Sequence, residues 1–135
     1  MLLEGKVAIV YGAGGPVGGA VSRAFALEGA RVFLAGRSQA PLARLAAEIR
    51  AAGGAADPAV VDALDERRVE ELVGAVVERA GRLDVSFNLI SLGDVQRPLA
   101  ELSLEDFLRP VETAMRSHFL TARAAARHMV RQGPA

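Results

Sequence analysis

Eight residues, Gly12-Ala13-Gly14-Gly15-Pro16-Val17-Gly18-Gly19, stand between an unbroken apolar run and a stretch with helical spacing. Few folds accommodate that junction. The run Val7–Tyr11 (VAIVY) has the valine and isoleucine content of a strand covered on both faces. A glycine-rich turn that enters a helix suits a pyrophosphate, because small residues let the backbone approach and the helix N-terminus offers free N–H groups and positive potential. The same turn would also serve simply to pack a helix tightly on a strand. The strict G-x-G-x-x-G spacing requires glycine where Val17 stands, so that pattern is not met.

Beyond the turn, short β-rich runs alternate with helical stretches. Val17 to Glu28 has helical spacing, with Val17, Val21, Phe25 and Leu27 facing inward and Gly29 as the stop. Arg31–Ala35 reads as a second strand. Ser38 can cap a helix running to about Ala52, with Leu42, Leu45 and Ile49 on one stripe and Pro41 harmless in the first turn. After Gly53-Gly54, residues Ala59–Asp62 form a short third strand. Asp65 caps a helix with Val69, Leu72, Val76 and Val77 on its apolar face, ending at Gly81. Leu83–Asn88 is the fourth strand, and Leu89 to Leu102 a loop. Ser103 and Asp106 resemble a capping box opening a helix to about Arg131, with Pro110 as a kink or second start. Its stripe Val111, Met115, Phe119, Ala122, Ala126 and Met129 is read as core packing. The alternation predicts an α/β fold, a doubly wound parallel sheet in three layers (αβα). The chain reaches Ala135 where a fifth strand would begin, so the sheet is expected to be incomplete at its C-terminal side.

Composition narrows the function. The 135 residues are 51% hydrophobic and carry 16 basic and 16 acidic side chains, enough for one domain over residues 1–135. Zero net charge argues against a nucleic-acid partner. No stretch approaches the roughly 20 apolar residues of a membrane span, and Glu4 and Lys6 interrupt any signal-peptide pattern. With no cysteine there is neither disulfide nor thiolate chemistry, and a reducing cytoplasm is the expected setting. His118 and His128 lie ten residues apart with no carboxylate at ligand spacing, so no metal site is assigned.

About 20 residues after such a turn, dinucleotide folds place an acid for the ribose hydroxyls or an arginine for a 2′-phosphate. Here the second strand ends Ala35-Gly36-Arg37-Ser38, with no carboxylate. Arg37 supplies a permanent charged fork that matches phosphate, and Ser38 a hydroxyl. A solvated arginine and a simple helix cap are the alternatives.

At this point the chain resembles the N-terminal half of a short-chain dehydrogenase/reductase, over essentially its whole length. The family's Thr-Gly-x-x-x-Gly-x-Gly corresponds to Tyr11 through Gly18; Gly12 and Gly18 match, Tyr11 replaces the threonine and Pro16 the middle glycine. Asp62 stands where the family places an aspartate for the adenine amino group, a position from which it could equally help cap the next helix. The family's Asn-Asn-Ala-Gly corresponds to Asn88-Leu89-Ile90-Ser91, of which only Asn88 survives, chiefly to pin neighbouring strands. The resemblance thus implies a Rossmann-like fold and a cofactor held by Gly12, Gly14, Gly15, Pro16, Val17, Gly18, Arg37, Ser38, Asp62, Ala63, Asn88, Leu89 and Ile90. With Arg37 in place of an acid, NADP(H) is preferred over NAD(H).

In such enzymes a tyrosine transfers the proton, a lysine four residues later lowers its pKa, a serine holds the carbonyl and an asparagine supports the relay. The chain has one tyrosine, Tyr11, and one lysine, Lys6, in the wrong order and place. The first three groups fall past Ala135 in the resemblance, and the asparagine aligns with Ala114, so no catalytic residue is assigned. The implied function is hydride transfer between nicotinamide and a small carbonyl or alcohol substrate, with a homo-oligomer formed through the long helix over 104–131. Two readings compete with it: a non-catalytic nucleotide-binding or assembly protein on the same scaffold, and a truncated fragment without activity of its own.

Overall fold

The computed structural model describes residues 1–90 and 93–134. Four strands, β1 (Val7–Tyr11), β2 (Arg31–Gly36), β3 (Ala55–Val60) and β4 (Val85–Asn88), form one parallel sheet in the order β3-β2-β1-β4. Helices α1 (Pro16–Leu27) and α2 (Gln39–Ala51) cover one face, where Leu42, Leu45, Ala46 and Ile49 pack on Val10, Val32 and Leu34. Helices α3 (Glu66–Ala80) and α4 (Leu104–Gln132) cover the other, with Val69, Val73, Val76, Ala124 and Ala125 against Ile9, Tyr11 and Phe33. This is the expected three-layer, Rossmann-like arrangement. Strand order runs outward from β1 to β3, and α3 then carries the chain back to β4 on β1's other side, so the order reverses between β1 and β4.

Helix α1 departs from the expected inward face. Its buried residues are Gly18, Gly19, Ser22 and Ala26, while Val17 and Leu27 are exposed and Val21 and Phe25 only partly covered. The reason is backbone proximity: a Cβ on Gly18 would lie 2.0 Å from the Gly12 carbonyl oxygen. Only a small-residue face fits a helix seated that closely, and Ser22 fits because its hydroxyl donates to the Gly18 carbonyl at 2.7 Å.

The third strand is also relocated, from the expected 59–62 to Ala55–Val60. Gly53, at φ +88°, ends α2, and Gly54 passes close to Ile49 and Ala26, which sends the chain directly into the sheet. Strand β3 is an edge strand, so Pro58 costs no ladder bond on its open side. Strand β4 begins at Val85 and not at Leu83, because the Gln132 side chain takes both the Leu83 N–H (3.0 Å) and its carbonyl (2.7 Å). Asp84 instead ties the start of β4 to β1: it accepts the Val7 N–H at 2.9 Å, and the Arg82 guanidinium holds its carboxyl below the usual range.

Asp65 caps α3 as expected, accepting from the Arg68 N–H, and Gly81 closes it at φ +80°. Ser38 occupies the N-cap position of α2, but its hydroxyl makes no capping bond. The described part of the loop after β4 contains a 3-10 turn at Leu99–Glu101; Ser91 and Leu92 lie outside the described residues. Helix α4 continues as one helix through Pro110. Its expected core stripe is reversed: Val111, Met115, Phe119, Ala122 and Ala126 are exposed and Met129 only partly covered, whereas Ser117, Leu120, Thr121, Ala124 and Ala125 face the sheet. Small and hydrogen-bonded residues let α4 approach β4, where Asn88 Nδ2 donates to Thr121 Oγ1 at 3.1 Å.

Tyr11 is fully buried, and its hydroxyl has no partner among the described residues. Burial, with the Glu70 charge adding to it, raises the phenol's pKa well above its ordinary value. A raised folded-state pKa makes the stabilising difference complete below the unfolded value of about 10 and lost as pH climbs past it. Phenolate absorbance from this single tyrosine is therefore expected to appear together with alkaline unfolding, and a phenolate signal in still-folded protein would contradict the burial. Tyr11→Phe, which removes an unpaired buried hydroxyl, is expected to stabilise the fold by about 1 kcal/mol. Gly18→Ala is expected to cost about 3 kcal/mol or more, whereas Gly74→Ala on α3, with open space around its Cβ, should gain about 0.5–1 kcal/mol. Denaturant midpoints compare the two, and equal midpoints would disprove the close seating of α1.

Candidate functional site

The loops leaving the C-terminal ends of all four strands meet over the point where strand order reverses. Each is fixed by a bond to the strand beside it. The Gly12 and Ala13 N–H groups donate to the Ala35 carbonyl (2.9 and 3.2 Å), the Leu89 N–H to Tyr11 O (3.0 Å), and the Val61 N–H to Gly36 O (2.8 Å). They enclose an open cavity of about 370 Å³. Open sheets of this kind bind ligands at this crevice.

The turn after β1 forms one wall. Gly12 sits at φ +81°, and a Cβ there would approach the Leu89 carbonyl oxygen to 2.8 Å. Gly15 is the N-cap of α1 and Pro16 its first residue. Proline fits there because its φ is already helical and the first amides of a helix lack intrahelical partners. Among the described residues, the amides of Gly14, Val17 and Gly18 have no backbone partner. Three orphan donors and the positive end of α1 thus stand together.

Of the thirteen residues singled out in the sequence, nine line this cavity: Gly12, Gly14, Gly15, Arg37, Ser38, Asp62, Ala63, Leu89 and Ile90. Pro16 lines a second, adjoining hollow. Neither Val17 nor Gly18 lines the cavity: Gly18 is buried beneath the turn, and the Val17 side chain points outward to solvent. Asn88 is committed internally: its amide donates to Thr121, and its carbonyl accepts the Ile90 N–H at 2.9 Å. It pins β4 to α4 and shapes the turn holding Leu89 and Ile90, where the sequence suggested a tie between strands.

Asp62 does not cap α3, since Asp65 does that. One Asp62 oxygen accepts the Leu64 N–H at 2.9 Å, and Oδ2 has no partner among the described residues. Among the described residues it is the only carboxylate lining the cavity, and Arg37 the only cation. Arg37 is exposed and makes no hydrogen bond or ion pair to the described residues. The two charges stand on adjacent strand ends, β3 and β2.

The sequence did not indicate Thr113, which reaches the cavity from α4, or Pro41 and Leu42 from α2. Leu42 packs against Gly36 and stands near Gly14, so it fixes the gap between the first two loops. The helical stripe of Leu42 was visible, but its placement beneath the mouth depends on how α2 crosses the sheet.

The cradle fits a dinucleotide: glycines clear the approach, amides without backbone partners could receive an anion, and a free carboxylate oxygen could take an amino group. No described helix is long and apolar enough to cross a membrane. Comparison with known proteins agrees with the geometry. The family described as short chain dehydrogenase matches residues 6–135. The L-rhamnose 1-dehydrogenase (NAD(P)(+)) of Azotobacter vinelandii is 37% identical over 137 residues, a match covering 98% of this chain and 53% of that protein. The structure of an NAD+-bound xylitol dehydrogenase superposes with TM-score 0.90 at 30% identity, covering 98% of this chain and 51% of that one. A metagenomic short-chain oxidoreductase in complex with NADP gives TM-score 0.87 at 30% identity, covering 98% and 60%. The chain spans about half the length of the curated relatives it matches. In fold, site geometry and sequence, the chain belongs to the short-chain dehydrogenase family.

Proposed function

We propose that this chain is the cofactor-binding part, over residues 1–135, of a cytoplasmic NADP(H)-dependent oxidoreductase acting between a carbonyl and an alcohol. One observation carries the reading: at the reversal of strand order, Gly14 with its amide, an Asp62 carboxylate oxygen and the Arg37 guanidinium, all without partners among the described residues, line one cavity, with the amides of Val17 and Gly18 next in the same turn. The N–H groups of Gly14, Val17 and Gly18, with the α1 dipole, would hold the pyrophosphate. Asp62 would accept the adenine amino group, with Ala63 beside it. Arg37 and Ser38 would take the 2′-phosphate, which an acid at the end of β2 would repel. When bound, the dinucleotide supplies the hydride donor or acceptor. Leu89 and Ile90 bring apolar side chains to the same cavity, and Asn88 holds their turn in place. Pro16 leaves the cavity itself unobstructed.

The exposed stripe on α4 supports a homo-oligomer. Val111, Met115 and Phe119 are 51, 69 and 59% exposed on one face of the helix, while polar bonds hold the opposite face to the sheet. A stripe of that size is typical of a partner surface. The protein should therefore sediment as an oligomer in the micromolar range. Phe119→Glu with Met115→Glu should return it to monomer, and a monomeric wild-type protein would contradict the interface.

Calorimetry tests the cofactor preference. A charged hydrogen bond of about 1.5–3 kcal/mol is at stake, so Arg37→Ala should weaken NADPH binding by about 10- to 150-fold and leave NADH nearly unchanged. Equal losses for both cofactors would make Arg37 structural, and no binding of either would defeat the reading.

A further inference from the structure

Helices α1 and α2 both begin beside the glycine turn, and a groove follows their facing edges away from it. The α1 edge runs through Gly19, Arg23 and Leu27, and the α2 edge through Pro41, Arg44, Glu48 and Ala52, at helical spacing. From Pro41 to Ala52 that edge is about 16 Å long. The groove holds two hollows that share Arg23 and Glu48. The one nearer the turn, of about 280 Å³, carries the unpaired polar groups. The one beyond, of about 310 Å³, is lined by Met1, Ala26, Leu27, Ile49 and Ala52, with the backbone of Gly53 and Gly54. Leu27 presents an apolar side chain there that the fold leaves 76% exposed.

The two hollows differ in charge. Arg23 bridges the groove, donating from Nε and Nη2 to Glu48 (3.2 and 2.5 Å), so that carboxylate is already neutralised. Arg23 Nη1 lies over Gly19, 3.2 Å from where a Cβ would be, and makes no hydrogen bond among the described residues. Arg44 is exposed and has neither hydrogen bond nor ion pair to the described residues. The side chains of the nearer hollow therefore carry one positive charge in excess, and the farther hollow has no unpaired charged side chain among the described residues.

We propose that this groove binds a single-chain amphiphile with a monoanionic head, a medium-chain carboxylate, its head at Arg44 and its tail in the apolar hollow beyond the Arg23–Glu48 bridge. The site lies outside the nucleotide cavity and stands without the cofactor reading. Charge complementarity selects the head: one excess guanidinium matches one carboxylate, whose two oxygens suit the arginine fork. Volume selects the tail, since 310 Å³ holds roughly ten carbon-sized groups at about 30 Å³ each. Arg23 and Glu48 are each about half exposed (54 and 55%), so their bridge can shift over an entering chain at little cost.

The test follows backbone amide shifts of the isotope-labelled 135-residue chain during titration with decanoate, octanoate, decanol and decyltrimethylammonium, each below its micelle concentration. Decanoate shifts should saturate and fall on Gly19, Arg23, Leu27, Arg44, Glu48 and Ala52, with Arg37, Asp62 and Ala63 unmoved. Octanoate, two methylenes shorter, should bind about 10-fold more weakly. Decanol and the ammonium should each lose about 10-fold or more. Arg44→Ala should bring decanoate down to the affinity of decanol, and Arg44→Lys should recover part of the loss. Leu27→Glu, at an exposed position that the fold tolerates, should abolish the saturating shifts, with circular dichroism to check folding. Equal affinity for the three ten-carbon amphiphiles, or indifference to Arg44→Ala or Leu27→Glu, would overturn the proposal. So would shifts centred on Val111, Met115 and Phe119, which would put the amphiphile on α4. Adenosine 2′,5′-bisphosphate moving the same groove residues would give the groove to the nucleotide and overturn it too.

Discussion

Helix α1 rests on β1 through backbone alone: the α carbon of Gly18 lies against the carbonyl of Gly12 with no room for a methyl group. This contact sets the geometry of the site. It brings the open N-terminus of α1 over the end of β1, beside the loops from β2 and β3. It also dictates the helix's composition, since the buried face continues from Gly18 through Ser22 to Ala26. Larger apolar residues on α1 must then turn outward, and Val17 and Leu27 do. The cost is lost apolar burial on one helix. The gain is a row of amides free to meet an anion.

A second set of polar ties does for α4 what the glycine contact does for α1. Asn88 joins Thr121, Gln132 brackets the backbone of Leu83, and Arg127 and Arg123 reach Glu70 and Glu66 on α3. These bonds, with Ala124 and Ala125 between them, anchor the helix through small and polar residues. Its large apolar residues are left on the opposite face, with Arg123 packed over the Phe119 ring at 4.7 Å. The same Asn88 also orients the turn carrying Leu89, whose carbonyl abuts Gly12. The β4 loop, the glycine turn and α4 therefore form one connected unit around the reversal of strand order.

What could be read from the sequence follows from how local each cause is. Strand β1 was visible because both its faces are buried, giving five apolar residues in a row. Helix α3 was visible because Asp65 and Gly81 mark its ends chemically. Strand β3 was misplaced because an edge strand reading AADPAV has a single β-branched residue, Val60, and no alternation, and its limits come from pairing with β2. The inward faces of α1 and α4 were misjudged for a shared reason: hydrophobic periodicity reports apolar residues, and both helices bury their small ones. Within the site, the positions at strand ends were legible because a parallel sheet places every strand end on one edge. Thr113, Pro41 and Leu42 were not, because their proximity to the turn depends on where two helices cross the sheet.

The central claim is that an anion-bearing nucleotide sits at the reversal of strand order, in the cradle of the glycine turn. Backbone amide chemical shifts of the isotope-labelled chain, followed as adenosine 2′,5′-bisphosphate is added, test it most directly. The account predicts shifts that saturate and cluster on Gly14, Gly15, Val17, Gly18, Ser38 and Ala63, with the far ends of α1 and α2 unmoved. Saturating shifts centred instead on Ala52 to Gly54, or none along the turn, would contradict it.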